Sequence, residues 1–273
     1  MTDRYAVVGH PIAHSKSPLI HAAFAQATGQ DIAYTAIEAP LDGFEATVRA
    51  FFEGGGRGLN VTLPFKLQAC EMATDPSEAA RLAGAANALK IDGDRLWAEN
   101  FDGVGLVNDI QRNLGHAIAG KRVLLLGAGG ATRGAILPIA AQGPAVLAVA
   151  NRTAAKAHEL RHDFAAQLAL QTGGYDELAG EAFDVIVNAT SAGLSGEALP
   201  LPAGLFAPGA LAYDMVYGKG LTPFLRQAQA AGVAALADGV GMLVEQAAEA
   251  FVWWRGVRPD TRPVIAQLSV PLV

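Results

Sequence analysis

Val123-Leu124-Leu125-Leu126-Gly127-Ala128-Gly129-Gly130-Ala131-Thr132 is the stretch that decides the fold. Four apolar residues in a row, Val123 to Leu126, read as a strand buried on both faces. A glycine-rich turn follows, and a helical pattern runs from Gly130 to Gln142. Such a turn aims backbone N–H groups and a positive helix end at one point, which suits a pyrophosphate. Gly127 and Gly129 occupy the first two glycine positions of a dinucleotide fingerprint, and Thr132 holds the third. Alone, the motif also fits a tight strand–helix turn.

The surroundings strengthen the dinucleotide reading. Ala145 to Ala150 is the next strand and Ala154 to Ala166 a helix. Asp184 to Asn188 and Ala210 to Asp214 are strands, Pro223 to Ala231 a helix, and Val233 to Leu236 a further strand. This β-α-β rhythm predicts a doubly wound parallel sheet. An NAD site usually ends its second strand with an acid for the ribose 2′-hydroxyl. Here the strand ends in Asn151-Arg152-Thr153, with Lys156 shortly after. A solvated helix start is the plain alternative, but cations oppose the dipole at a helix N-terminus unless an anion lies there. The pattern favours NADP over NAD.

The first half of the chain also alternates strands with helices, as an α/β layer does. Tyr5 to Gly9, Ile32 to Glu38 and Arg57 to Val61 read as strands. Ser17 to Ala27, with Pro18 near its start, reads as a helix, and so does Leu41 to Phe52, stopped by Gly54-Gly55-Gly56. After two short helices, Ala88 to Ile91 and Arg95 to Ala98 form a hairpin around Asp92-Gly93-Asp94. Asp102 to Leu114 reads as one helix, and Met242 to Trp254 as an apolar helix whose Trp253 and Trp254 fill a core.

Chemistry-bearing residues gather at the edges of these elements. In Gly58-Leu59-Asn60-Val61-Thr62-Leu63-Pro64-Phe65-Lys66, a proline cuts a buried strand short. Asn60, Thr62 and Lys66 therefore sit where a strand meets a helix, and partial desolvation there suits an amine to proton transfer. Ser15 and Ser17 bracket a helix start, where hydroxyls and free N–H groups can bind a carboxylate or simply cap the helix. Asn87 puts an amide at the beginning of an apolar strand. Asp102 puts a carboxylate at a helix start, where in isolation it reads as an N-cap. His14 and His21 read as surface or structural residues, and the six histidines show no metal-ligand spacing.

Composition excludes several classes. With 51% hydrophobic and 17% charged residues, the chain is built for buried cores rather than disorder. At 273 residues it is comfortable for two domains. A net charge of −6 argues against a nucleic-acid binder. The single cysteine, Cys70, fits a reducing, cytoplasmic compartment. The most apolar region, Gly134 to Ala150, is broken by Pro138, Gly143 and Pro144, so no membrane span is expected.

Taken in order, these segments resemble shikimate dehydrogenase over nearly the whole chain. The series runs from Ser15 and Ser17 through Asn60-Val61-Thr62 with Lys66, Asn87, Asn100-Phe101-Asp102, the glycine turn and Asn151-Arg152-Thr153. It continues with Asn188-Ala189-Thr190-Ser191-Ala192-Gly193, Asp214-Met215-Val216-Tyr217 with Thr222-Pro223, and Asp238 to Ala247. The resemblance implies an α/β fold with two domains. They are a substrate domain at 1–103 and a Rossmann-type doubly wound parallel sheet for NADP at 104–237, with C-terminal helices at 238–273 packing back on the first domain. It implies reversible NADPH-dependent reduction of 3-dehydroshikimate to shikimate. Lys66 and Asp102 would be the catalytic pair. Ser15, Ser17 and Tyr217 would hold the carboxylate, and Asn60, Thr62, Asn87 and Gln246 would contact hydroxyls or order the site. Gly127, Ala128, Gly129, Gly130, Ala131, Asn151, Arg152, Thr153, Lys156 and Thr190 would bind NADP(H), with Met215 and Gly239 near the nicotinamide. Phe101 departs from the pattern, standing where the family usually has a small hydroxyl residue, and Lys156 stands where arginine is common. A quinate/shikimate dehydrogenase using NAD and a non-catalytic NADP(H) sensor are the alternatives. Neither a metal, a nucleic acid nor a membrane is an expected partner, and monomer and homodimer both remain open.

Overall fold

The computed structural model of the chain describes residues 2–190, 198–218 and 220–272. Two compact units divide it: Met1–Gly105 with Val244–Val264, and Leu106–Leu243 with Ile265–Val273.

In the first unit the elements run β1 (Asp3–Gly9), α1 (Ser17–Thr28), β2 (Ile32–Glu38), α2 (Phe44–Glu53), β3 (Gly56–Val61), α3 (Lys66–Met72), β4 (Asp75–Pro76), α4 (Glu78–Ala83), β5 (Ala88–Asp92), β6 (Arg95–Glu99) and the start of α5 (Asp102–Asn108). The sheet order is β2-β1-β3-β5-β6-β4. β1 lies parallel between β2 and β3, while β5 runs antiparallel to both β3 and β6. The hairpin turns at Gly93, whose φ of 59° favours glycine. On one face Val8, Leu59, Val61 and Leu89 pack against Phe44, Val48 and Phe51 of α2, Ala69 of α3 and Phe65 at its cap. The Trp254 indole lies on β3 at Gly58, where a Cβ would come within 2.5 Å of its Nε1. That close approach requires glycine in the strand.

The second unit continues with β7 (Arg122–Leu126), α6 (Gly130–Ala140), β8 (Val146–Ala150), α7 (Ala154–Asp163), β9 (Gln171–Gly173), β10 (Phe183–Asn188), β11 (Phe206–Asp214), α8 (Pro223–Ala230) and β12 (Ala235–Asp238). All its strand pairs are parallel, in the order β12-β11-β10-β7-β8-β9. Counted within the sheet this is 3-2-1-4-5-6, the doubly wound dinucleotide order, with its switch point between β7 and β10. The apolar run that reads as a central strand is one: Val123 to Leu126 are fully buried. The chain then enters α9 (Val240–Arg255) and ends in α10 (Arg262–Leu268). No described helix is long and apolar enough to cross a membrane.

Several boundaries differ from the sequence reading, for local reasons. Helix α2 starts at Phe44, not Leu41, because Gly43 N–H closes a turn onto Pro40 O at 2.9 Å. The expected helix from Asp102 to Leu114 is α-helical only to Asn108. A π-turn follows over Asp109–Asn113. There the buried Asp109 carboxylate accepts from Tyr213 Oη at 2.7 Å and Asn113 Nδ2 at 2.9 Å. Strand β12 begins at Ala235, two residues late, because Val233 N–H still bonds Ala228 O of α8. Strands β4 and β9 were not read from the sequence. At two and three residues they carry no periodicity.

Candidate active site

A strand end, a hairpin edge and a helix start build a polar socket in the first unit. Lys66 opens α3, and its backbone oxygen accepts from Ala86 N–H at 2.8 Å, so α3 is tied to the segment leading into β5. Its Nζ reaches Asp102 Oδ2 at 2.5 Å across 36 positions of sequence. The pair is partly shielded, with 27% and 15% of the two side chains exposed. Asp102 is not the N-cap of α5. Asn100 Oδ1 accepts its N–H at 3.1 Å, which leaves the Asp102 carboxylate free for other partners. Asn87 Nδ2 donates to Asp102 Oδ1 at 2.8 Å and to Gln246 Oε1 at 3.1 Å. Asn87 Oδ1 accepts Phe101 N–H at 2.9 Å. Lys66, Asp102, Asn87 and Gln246 are therefore joined in one network, as an ordered proton-handling site requires.

Asn60 lies beneath this network, 5% exposed. Its Oδ1 meets His21 Nε2 at 3.1 Å and Tyr34 Oη at 2.7 Å, and its Nδ2 donates to Asn87 O at 3.2 Å. Ser17 is buried, and its N–H donates to Ser15 Oγ at 3.3 Å. The side chain of Lys16, at the cap position of α1, makes no cap bond. Thr62 follows β3, half-buried, with its N–H on Val8 O. His14 is exposed, while His21 is fully buried and held down to a pKa of about 3 by desolvation, so it is neutral. Phe101 meets the Trp253 ring edge-on at 5.8 Å, and Lys90 Nζ lies 4.3 Å from the centre of that ring.

In the second unit, Gly127 has a φ of 106°, and a Cβ there would press on Thr190 Cγ2 at 3.0 Å. Gly129 and Gly130 face open space. Thr132 is fully buried, and its Oγ1 donates to Gly127 O at 2.9 Å, bracing the turn from the third fingerprint position. A cleft of about 460 Å³ runs along Gly127 to Ala131, Asn151, Arg152, Tyr175 and Thr190. None of its described lining residues is acidic. Asn151 Nδ2 bonds Thr153 O at 2.9 Å, shaping the turn that presents Arg152. Lys156 is exposed one turn into α7. Thr190 Oγ1 donates to Asn188 Oδ1 at 2.7 Å. Ser191, Ala192 and Gly193 of the same motif lie outside the described residues. Gly239 packs so tightly on Met215 that a Cβ would collide with the Met215 carbonyl. Tyr217 follows β11 and is 41% exposed.

Sequence reasoning passed over Tyr34 and Tyr175. Tyr34 sits in β2, Ile32-Ala33-Tyr34-Thr35-Ala36-Ile37-Glu38, where an aromatic residue reads as ordinary strand packing. Tyr175, buried beside Arg152 and taking a bond from its backbone, follows a strand too short to detect.

The switch-point cleft, with a cation and no acid in its described lining, fits a phosphorylated dinucleotide. An ammonium held by a carboxylate fits a substrate that exchanges a proton. Together they define a nucleotide-dependent dehydrogenase. Comparison with known proteins narrows the class. The family models described as shikimate dehydrogenase substrate binding domain, shikimate/quinate 5-dehydrogenase and shikimate 5′-dehydrogenase C-terminal domain match residues 7–89, 109–195 and 239–268. The chain is 56% identical over 272 residues to the shikimate dehydrogenase (NADP(+)) of Nitrosospira multiformis, covering 100% of this chain and 99% of the relative. Among solved structures, the Ael1 enzyme of Pseudomonas putida superposes with a TM-score of 0.95 at 59% identity, covering 99% of this chain and 100% of the other. The shikimate 5-dehydrogenase of Thermus thermophilus, in complex with NADP(H) and shikimate, gives 0.86 at 34% identity and 97% of each chain. The chain belongs to the shikimate dehydrogenase family.

Proposed function

We propose that this chain catalyses the reversible NADP-dependent reduction of 3-dehydroshikimate to shikimate. The observation that carries the reading is the Lys66–Asp102 pair at 2.5 Å, held by Asn87 and Gln246 in the first unit. NADPH, when bound, supplies the hydride. As the substrate carbonyl oxygen gains negative charge, the Lys66 ammonium stabilises it and gives it a proton. In the reverse direction neutral Lys66 accepts the proton of the hydroxyl. Asp102 orients the amine through Oδ2 and accepts from a neighbouring substrate hydroxyl, while Asn87 pins Oδ1.

The remaining roles are those that the resemblance to the family implies. Ser15 and Ser17, with Tyr217, bind the carboxylate. Asn60, Thr62, Asn87 and Gln246 meet the ring hydroxyls. In this reading the first 103 residues form the substrate domain and residues 104–237 the NADP domain, while of the C-terminal segment 238–273 the stretch Val244–Val264 belongs to the first unit. Backbone amides of Gly127, Ala128, Gly129, Gly130 and Ala131 cradle the pyrophosphate. Asn151, Arg152, Thr153 and Lys156 hold the phosphorylated ribose, and Thr190, Met215 and Gly239 neighbour the nicotinamide. The reaction is assigned to the cytoplasm, in keeping with the single Cys70.

An initial-rate panel of shikimate and quinate, each with NADP and NAD, tests the proposal. Shikimate with NADP is expected to exceed every other pair in kcat/KM by at least about tenfold, the factor set by one lost charge-assisted contact. Quinate with NAD turning over as well as shikimate with NADP contradicts it.

A further inference from the structure

Asn60 can stand only one way round. Asn87 O, which can only accept, faces one end of its amide, so that end is Nδ2. Two groups therefore converge on Oδ1 as donors, His21 Nε2–H and Tyr34 Oη–H. The two donor rings are themselves stacked, with centroids 4.1 Å apart and planes within 5°. Phe251 and Trp254 of α9 pack on His21 at 6.1 and 5.5 Å, closing the stack from behind. Burial keeps Tyr34 protonated and His21 neutral, the states in which both can donate. The Ser17 side chain is a further hydrogen-bond neighbour of the Tyr34 hydroxyl. The second hydrogen of Asn60 Nδ2 has no acceptor among the described residues.

We propose that Tyr34, with His21 stacked on it, is a positioning residue for substrate: the pair saturates the Asn60 amide oxygen and so locks the remaining Nδ2 hydrogen for a hydroxyl oxygen of the bound cyclic polyol acid. The Tyr34 hydroxyl also joins Ser17, assigned above to the carboxylate, to Asn60, assigned to a hydroxyl. One phenol thus neighbours two of the residues assigned to substrate. The inference rests on the shikimate reading and adds residues that touch no substrate atom.

Steady-state kinetics of Tyr34→Phe, Asn60→Ala and the double variant test it, beside the wild type and with thermal melts of each. Phenylalanine keeps the stacked ring and removes only the hydroxyl. In Tyr34→Phe the KM for shikimate should rise roughly three- to tenfold, the range for one hydrogen bond. The kcat should fall less than about threefold, and the KM for NADP should not move, as for lost substrate binding alone. In the Asn60→Ala background the same change should cost clearly less, because the part that acts through Asn60 is already lost. An unchanged shikimate KM in a folded Tyr34→Phe overturns the inference, as does an equal penalty with and without Asn60. If Asn60→Ala does not fold, the split between KM and kcat in Tyr34→Phe decides alone. A wild type that does not oxidise shikimate with NADP fails at the earlier step, and overturns the proposed function with this inference.

Discussion

Asn87 uses both ends of its amide. Nδ2 holds Asp102 and Gln246, and Oδ1 holds the backbone of Phe101. Asp102 is thereby fixed against Lys66 by hydrogen bonding as well as by charge, which an ion pair with this much exposure would not achieve alone. Arg152 has a different part, since it is the cation in a dinucleotide cleft whose described lining holds no acid. Arg152→Ala should weaken NADPH binding by roughly 1.5–3 kcal/mol, the range for a charge-assisted bond, and leave NADH binding almost unchanged. A fluorescence titration with each nucleotide measures this, and equal losses for both would remove Arg152 from the phosphate. His21 bears on stability. Its folded pKa is about 3 against 6.5 in a free chain. Above pH 6.5 both states are neutral and nothing is lost. Below it the unfolded chain takes a proton that the folded chain refuses, so stability falls toward pH 3. Between pH 6.5 and 5 the wild type should lose about 1–2 kcal/mol more than His21→Gln in urea melts. Parallel losses would mean that His21 titrates normally.

The elements that the sequence places best are those whose own residues are strongly apolar or β-forming. Val123 to Leu126 and Ile32 to Glu38 read as strands from their own composition, and β2 matches residue for residue. What escapes is decided by partners distant in sequence. The π-turn at Asp109 depends on Tyr213, 104 positions away, and nothing local to Asp102–Leu114 announces it. That turn is also braced by the start of α9. A Cβ at Gly241 would collide with the Asp109 carboxylate, and Met242 N–H donates to Tyr213 Oη at 3.3 Å. Gly241→Ala should therefore destabilise the chain by roughly 1–3 kcal/mol, as overpacking does. Urea unfolding checks this, and an unchanged midpoint would show that the Asp109 cluster yields freely.

At the scale of the whole molecule, the chain carries two sheets with separate cores, and the resemblance over its ordered motifs was legible before any coordinate. The residue types of the proposed site stand out in the sequence, because Lys66, Asn87, Asp102 and the glycine turn lie at element edges. The support beneath them does not. His21, Tyr34 and Tyr175 act through a neighbour, and neither period nor motif marks such residues. If the two units divide the labour as proposed, each ligand has its own footprint in hydrogen exchange. Shikimate alone should protect peptides around residues 60–66, 87 and 102, and NADP should protect 127–131 and 151–156. Protection by shikimate confined to the second set would reverse the assignment. The most direct test lies at the ammonium itself: the kcat of Lys66→Ala in shikimate oxidation with NADP. The account predicts a fall of roughly 10²–10⁴-fold with a smaller change in KM. A folded variant turning over at close to the wild-type rate would contradict it.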